Sequence, residues 1–279
     1  MSENDSGGGS PVELLDYSSR HAPRLRRKRG VLPGSCEMPS VPFLPFSIFL
    51  GILGVLCVGL TSFWGQHWLG GFAWDGSSKM FNWHPVLMVT GMLVLYSTAA
   101  LVYRVPISWE GPKLPWKLLH AALTLAVFIL VVLGLVAVFE FHNKKEIPNM
   151  YSLHSWLGLA TVLLFSGQWL MGFTYFLLPW TPIWLRSFYK PIHVFFGSSI
   201  LSLAVAACIS GVNEKLFFRL TNQTTPYNKL PAEAWFANSL GMLILVFGLL
   251  VLWSLATPTW KRPDVDLQEI QEPLLQEAR

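Results

Sequence analysis

The chain has 279 residues, 52% hydrophobic and 13% charged, with 20 Lys and Arg against 16 Asp and Glu for a net charge of +4. Its mean hydropathy is +0.45. Soluble domains carry about a quarter charged residues, so this balance excludes one and predicts a membrane protein with no nucleic-acid partner.

Residues 1–42 combine Gly7 to Gly9, scattered prolines and a basic run from Arg24 to Arg29, which supplies nothing for a core. They are read as a disordered basic cytosolic tail whose cations set topology or touch anionic lipid. Six apolar runs follow, at 43–63, 84–103, 117–139, 152–178, 191–211 and 235–257, each about 20 residues and so able to cross a bilayer. The first outlasts a signal-peptide core and is expected to be an uncleaved anchor. The fold class predicted is all-α, a six-helix transmembrane bundle over 43–258 in contact with membrane lipid, with a cytosolic tail at 259–279. Cys36, Cys57 and Cys208 are too few and too scattered for a disulfide framework.

Lys and Arg in flanking segments decide orientation. The alternation of loops puts fourteen on the side of the termini and six on the other, so both termini are expected in the cytosol. An N-glycosylation acceptor, Asn222-Gln223-Thr224, then falls on the lumenal face between the fifth and sixth runs, while Asn4-Asp5-Ser6 stays cytosolic and unmodified.

Of seven histidines, His84, His120, His154 and His193 open the second to fifth runs. Ionisable groups at membrane depth are costly, face the bundle interior and mark function. Because successive helices alternate in direction, His84 and His154 share the lumenal level, and His120 and His193 the cytosolic one. Each pair can offer two imidazoles to one planar cofactor between facing helices. Haem iron takes two axial ligands, and two imidazoles leave it no open position, whereas zinc wants four ligands and finds no Cys, Asp or Glu beside them. Two b-type haems held by the second to fifth helices are therefore expected, with irons roughly 20 Å apart along the membrane normal. Gly91, Gly134, Gly158, Gly167, Gly172 and Gly197 suit either a large ring or close helix packing. Trp68, Trp74, Trp83, Trp116, Trp180 and Trp260 are read as interfacial anchors.

The stretches Asn82-Trp83-His84-Pro85, Lys117-Leu118-Leu119-His120, Asn149-Met150-Tyr151-Ser152-Leu153-His154, Pro191-Ile192-His193-Val194 and Gly211-Val212-Asn213-Glu214-Lys215 resemble the cytochrome b561 family, over about 43–263. The resemblance implies the same haem pairing. It further implies Asn149, Met150, Tyr151, Ser152 and Glu214 around the lumenal haem, and Arg104 and Lys261 near the cytosolic one, where cations can pair with propionates. It maps a cytosolic ascorbate site onto Lys113, Lys117 and Arg186, and a lumenal metal-substrate contact onto His142. The implied activity is an oxidoreductase, with electrons passing from cytosolic ascorbate to ferric iron. Monodehydroascorbate as the lumenal acceptor, a haem-free metal transporter and a non-turnover assembly subunit are the competing readings, and homodimer formation stays open. The implied location is the late endosome or lysosome, with another secretory vesicle or the plasma membrane as the alternative. Glu272-Pro273-Leu274-Leu275 resembles a sorting dileucine, but Ile270 stands where an acid is expected.

Overall fold

The computed structural model describes residues 42–109, 111–221 and 224–262. The basic tail, Cys36, both glycosylation tripeptides' asparagines and the dileucine segment lie outside them.

Six helices long and apolar enough to cross a membrane run in chain order: α1 (Phe43–His67), α2 (Ser78–Arg104), α3 (Leu114–Lys144), α4 (Leu153–Phe176), α5 (Ile183–Arg219) and α6 (Ala232–Ala256). All described regular structure is helical. Each contains the core of an expected run, but several run further. α5 begins eight residues before its apolar run, at Ile183, and carries Pro191 inside it. The early start follows from amphipathic residues such as Trp184, Arg186 and Lys190, which end a hydropathy run at the membrane interface without ending a helix. Proline costs a helix one backbone bond, and packing of α5 along its length on α4 offsets that. The longer helices change several placements. Lys117 and His142 lie on α3, and Arg186, Lys215 and Arg219 on α5, rather than in loops. His193 sits well inside α5 rather than at its start.

The helices associate by neighbouring faces: α2 on α3, α4 on α5, α5 on α6, and α1 on both α2 and α6. In α1 the buried Leu50, Gly54, Cys57, Thr61 and Trp64 recur every three or four residues, which is one helical face. Ile52 and Val55 on the opposite face are 64% and 71% exposed. In water such a face would be an aggregation site; against acyl chains it costs nothing. Cys57 and Cys208 are free.

α2 is not regular throughout. It is α-helical at Trp83–Met88, a π-helix at Val89–Leu95, α-helical again at Tyr96–Leu101 and a 3-10 turn at Val102–Arg104. Its start is held by the loop from α1: Gly70 and Gly71 take φ of 84° and 90°, conformations that glycine reaches freely. This turn aims carbonyls at buried Asn82, whose Nδ2 donates to Leu69 O (3.1 Å) and Gly71 O (2.7 Å). Asn82 thus anchors the turn that positions His84.

Charged residues tie the two ends of the bundle. At one end Glu233, 6% exposed, accepts from Trp64 Nε1 at 3.0 Å and pairs with Arg219 at 3.4 Å, while Arg219 Nη2 donates to Trp68 O at 2.7 Å. Glu233 lies in the first turn of α6 and Arg219 in the last of α5, so each charge also complements its helix dipole. At the other end Arg104 donates to Thr257 O (2.9 Å) and to Leu255 O, capping the free carbonyls of α6. Trp260 does not anchor at an interface as expected: it is 5% exposed and packs on Phe43, Phe46 and Trp253. Its neighbours at the ends of α1 and α6 enclose it.

Candidate functional site

The four histidines meet in the two expected pairs. The His84 and His154 rings have centroids 6.1 Å apart at 87°; those of His120 and His193 are 6.2 Å apart at 67°. A nitrogen–metal–nitrogen bridge with bonds of about 2 Å, typical for imidazole on a first-row metal, puts the two centroids roughly 6 Å apart. Both pairs match that span. Among the described residues no group of three or more His, Cys, Asp or Glu gathers, so each pair offers two protein ligands, the number a haem iron takes axially.

Three of the four rings are oriented by their other nitrogen. His84 Nδ1 meets Gly134 O at 3.1 Å, His120 Nδ1 meets Ala99 O at 2.8 Å, and His154 Nδ1 meets Ala207 O at 2.8 Å. Such a bond assigns the proton to Nδ1 and leaves Nε2 as the ligating atom. α2 and α3 hold each other's histidine in this way. His193 differs: its Nδ1 has no partner, and it is its backbone oxygen that accepts, from Gln168 Nε2 at 2.6 Å, with Tyr189 donating to Gln168 Oε1 at 3.1 Å. The carbonyl that receives the opposing ring lies fourteen residues from the helix's own histidine in α3 and α5, and fifteen in α2. At 1.5 Å per residue this separates the levels by about 21 Å.

Glycine makes room for two of the rings. A Cβ on Gly211 would lie 2.7 Å from His154 Cε1, and one on Gly172 would lie 3.0 Å from His193 Cε1. Val at position 211 is therefore expected to displace the His154 imidazole, since overpacking costs about 1–3 kcal/mol even where neighbours adjust. The reduced-minus-oxidised spectrum of purified Gly211→Val should lose one haem component. Gly59→Ala, where a Cβ meets nothing within 4 Å, should keep both.

Charged and polar residues gather at each level. Beyond His120 and His193, Lys117 Nζ donates to Phe176 O (3.3 Å), and Arg186 Nη2 donates to Leu178 O (2.9 Å). Both cations close on the C-terminus of α4, with Lys113 in electrostatic reach. The Nε of Arg186 is buried without a partner. Arg104 is committed to α6 carbonyls, as above, and Lys261 follows a 3-10 turn at Pro258–Trp260.

Near His84 and His154, the His142 Nδ1 lies 3.2 Å from Asn149 Oδ1, and Asn149 Nδ2 donates to Asn143 Oδ1 at 3.0 Å. Met150 takes φ 60° and its carbonyl accepts from Trp156 Nε1 at 2.9 Å. Ser152 caps α4 through a reciprocal bond with Ser155. This places His154 in the first turn. Partial burial, and then the Glu214 carboxylate, raise the Tyr151 phenol above its ordinary range. Aromatic rings connect His84 to His142: Phe81 lies 6.2 Å from His84 and 5.3 Å from Phe141, which lies 5.7 Å from His142. Phe81, Lys215, Gln168 and Tyr189 were not expected at the site. Gly211, four before Lys215 on one helical face, is the one sequence feature that points to Lys215.

Residues 83–219 match the family model described as eukaryotic cytochrome b561. The chain is 60% identical to the lysosomal membrane ascorbate-dependent ferrireductase CYB561A3 of Homo sapiens over 241 residues, covering 86% of this chain and 100% of that protein. It is 64% identical to the same-named protein of Bos taurus, over 79% of this chain and 83% of that one. It is 47% identical to the plasma membrane ascorbate-dependent reductase CYBRD1 of Xenopus laevis, over 83% of this chain and 80% of that one.

Proposed function

This chain belongs to the eukaryotic cytochrome b561 family, a haem-binding family, and from that membership we propose that it is a transmembrane ascorbate-dependent ferric reductase. It carries electrons from cytosolic ascorbate to lumenal ferric iron by way of two haems b, in a late-endosomal or lysosomal membrane with both termini cytosolic. The observation that carries this reading is the pair of imidazole pairs, each spaced for one metal and about 21 Å apart across the bundle.

His84 with His154, and His120 with His193, would each hold one haem, which when bound would supply one-electron transfer. The protein's own residues do the rest. Carbonyls of Gly134, Ala99 and Ala207 fix the orientation of three of the ligand rings. Lys113, Lys117 and Arg186, collected at the α4 C-terminus, attract the ascorbate monoanion and hold it at the His120 end. Arg104 and Lys261 at that end, and Asn149, Met150, Tyr151, Ser152 and Glu214 at the other, flank the two pairs. His142, oriented by Asn149, offers an imidazole nitrogen to ferric iron as substrate at the lumenal rim.

The test is reconstitution of the purified protein into liposomes loaded with ascorbate, with a ferric chelate outside and trapped ferrous iron followed by absorbance. Ferrous iron should form only when haem-loaded protein spans the bilayer. Uptake of iron into the liposomes without a reducible haem spectrum would instead favour a metal transporter. In the same assay His142→Ala should slow ferric turnover about tenfold, the loss of one good contact, while ascorbate still reduces the haems at the wild-type rate. Unchanged ferric kinetics would remove His142 from the substrate site.

A further inference from the structure

Lys215 is the residue at the His84–His154 level for which the reading above has no use. Its Nζ lies 3.9 Å from the centroid of Phe81, and the Phe81 ring lies 6.2 Å from that of His84. One turn earlier on the same face of α5 is Gly211, against which the His154 imidazole is packed. Lys215 therefore reaches over both members of the pair from the outer side, about 6 Å nearer than Gly211 to the end of the bundle. The ammonium sits between the imidazoles and water.

Among the described residues no carboxylate lies within ion-pair distance of Lys215. Glu233, one turn further along the bundle end, is already taken by Trp64 and Arg219. An ammonium has three donors, and the aromatic face beneath it satisfies its charge without accepting a conventional hydrogen bond. A half-buried, desolvated cation in this position is suited to an anion that arrives from outside the chain.

We propose that Lys215 binds a carboxylate at the rim of the His84–His154 level. It comes from one of two sources, a propionate of the haem held there or a carboxylate arm of an incoming ferric chelate. The assignment rests on the reading that this pair holds a haem, and it makes Lys215 a binding and positioning residue rather than an electron carrier.

The experiment uses the full chain in proteoliposomes, comparing wild type with Lys215→Gln, Lys215→Met, Lys215→Arg and the exposed control Lys229→Gln. Two quantities are measured. One is the midpoint potential of each haem, the relevant component being the one absent from His84→Leu. The other is KM for ferric citrate and for hexaammineruthenium(III), a cationic acceptor with no carboxylate.

If the carboxylate belongs to the haem, loss of the cation favours the ferric form. Neutral variants then shift that component about tenfold toward oxidised, about 59 mV lower for one electron, with Arg restoring it and KM values unmoved. If it belongs to the chelate, potentials hold, KM for ferric citrate rises about tenfold, and KM for the ruthenium complex does not. Neutral variants that match wild type and Lys229→Gln in both measures would overturn the proposal. Wild-type protein with no reducible haem spectrum would overturn it together with the reading it rests on, a result separable because it needs no variant. Glutamine and methionine provide two neutral replacements of different polarity, so failure of one to fold leaves the comparison intact.

Discussion

Leucine at His84 or His154 is expected to remove one haem and spare the other, and leucine at His120 or His193 to do the reverse. The expectation follows from the 6.1 and 6.2 Å ring pairs: each variant removes one of the two imidazoles of its pair, while the other pair lies about 21 Å away on separate contacts. Reduced-minus-oxidised spectra of the purified variants should show about half the wild-type pigment, and the two classes of variant should lose different spectral components. Loss of the His120-level component in His84→Leu, with its own level retained, would refute the pairing. Stability should fall as well, because a bound cofactor stabilises the folded state by mass action. Variants are therefore best purified cold and compared at equal helical content.

The second large effect is expected at the opposite end. In the proposed ascorbate clamp, Lys117→Ala or Arg186→Ala would remove a charge-assisted hydrogen bond to the monoanion, worth about 1.5–3 kcal/mol, or roughly ten- to a hundredfold in affinity. Neither residue is an iron ligand, so haem content should hold. Lys117 also caps the last carbonyl of α4, at Phe176, and Arg186 bonds the Leu178 carbonyl just beyond it; alanine leaves those carbonyls to water, a smaller cost at an interface. Stopped-flow reduction of haem by ascorbate at several ionic strengths is the measurement, with Lys190→Ala alongside. A selective loss that shrinks as salt rises would support a cationic clamp. Equal ascorbate dependence in all three variants would leave these residues with topology alone.

How much of this was legible beforehand depended on whether the signal was local. Six crossings and two imidazole pairs could be read because bilayer thickness fixes run length and alternating helix direction sorts histidines by depth. The beginning of α5 could not, because Trp184, Arg186 and Lys190 break a hydropathy run yet continue a helix through Pro191. Trp260 was misassigned for a similar reason: tryptophan near a span end is as well suited to an aromatic cluster as to headgroups, and only contact with Phe43 and Phe46 distinguishes them. Lys215 counted as a loop charge because its partner ring, Phe81, is more than a hundred residues away. The carbonyls that orient the rings were invisible in principle, since any residue supplies one. Their identity is a matter of register between helices.

That register gives the π-helical segment Val89–Leu95 a mechanical role. In α3 and α5 fourteen residues separate a helix's own histidine from the carbonyl it lends to the opposite level; α2 uses fifteen, from His84 to Ala99. A turn closed by i→i+5 bonds carries one residue more than an α-turn, so the bulge absorbs the surplus and both ends keep their facing. Removing one residue between Val89 and Leu95 is therefore expected to give α2 the fourteen-residue spacing of α3 and α5 while leaving the rings at both levels aimed as they are now.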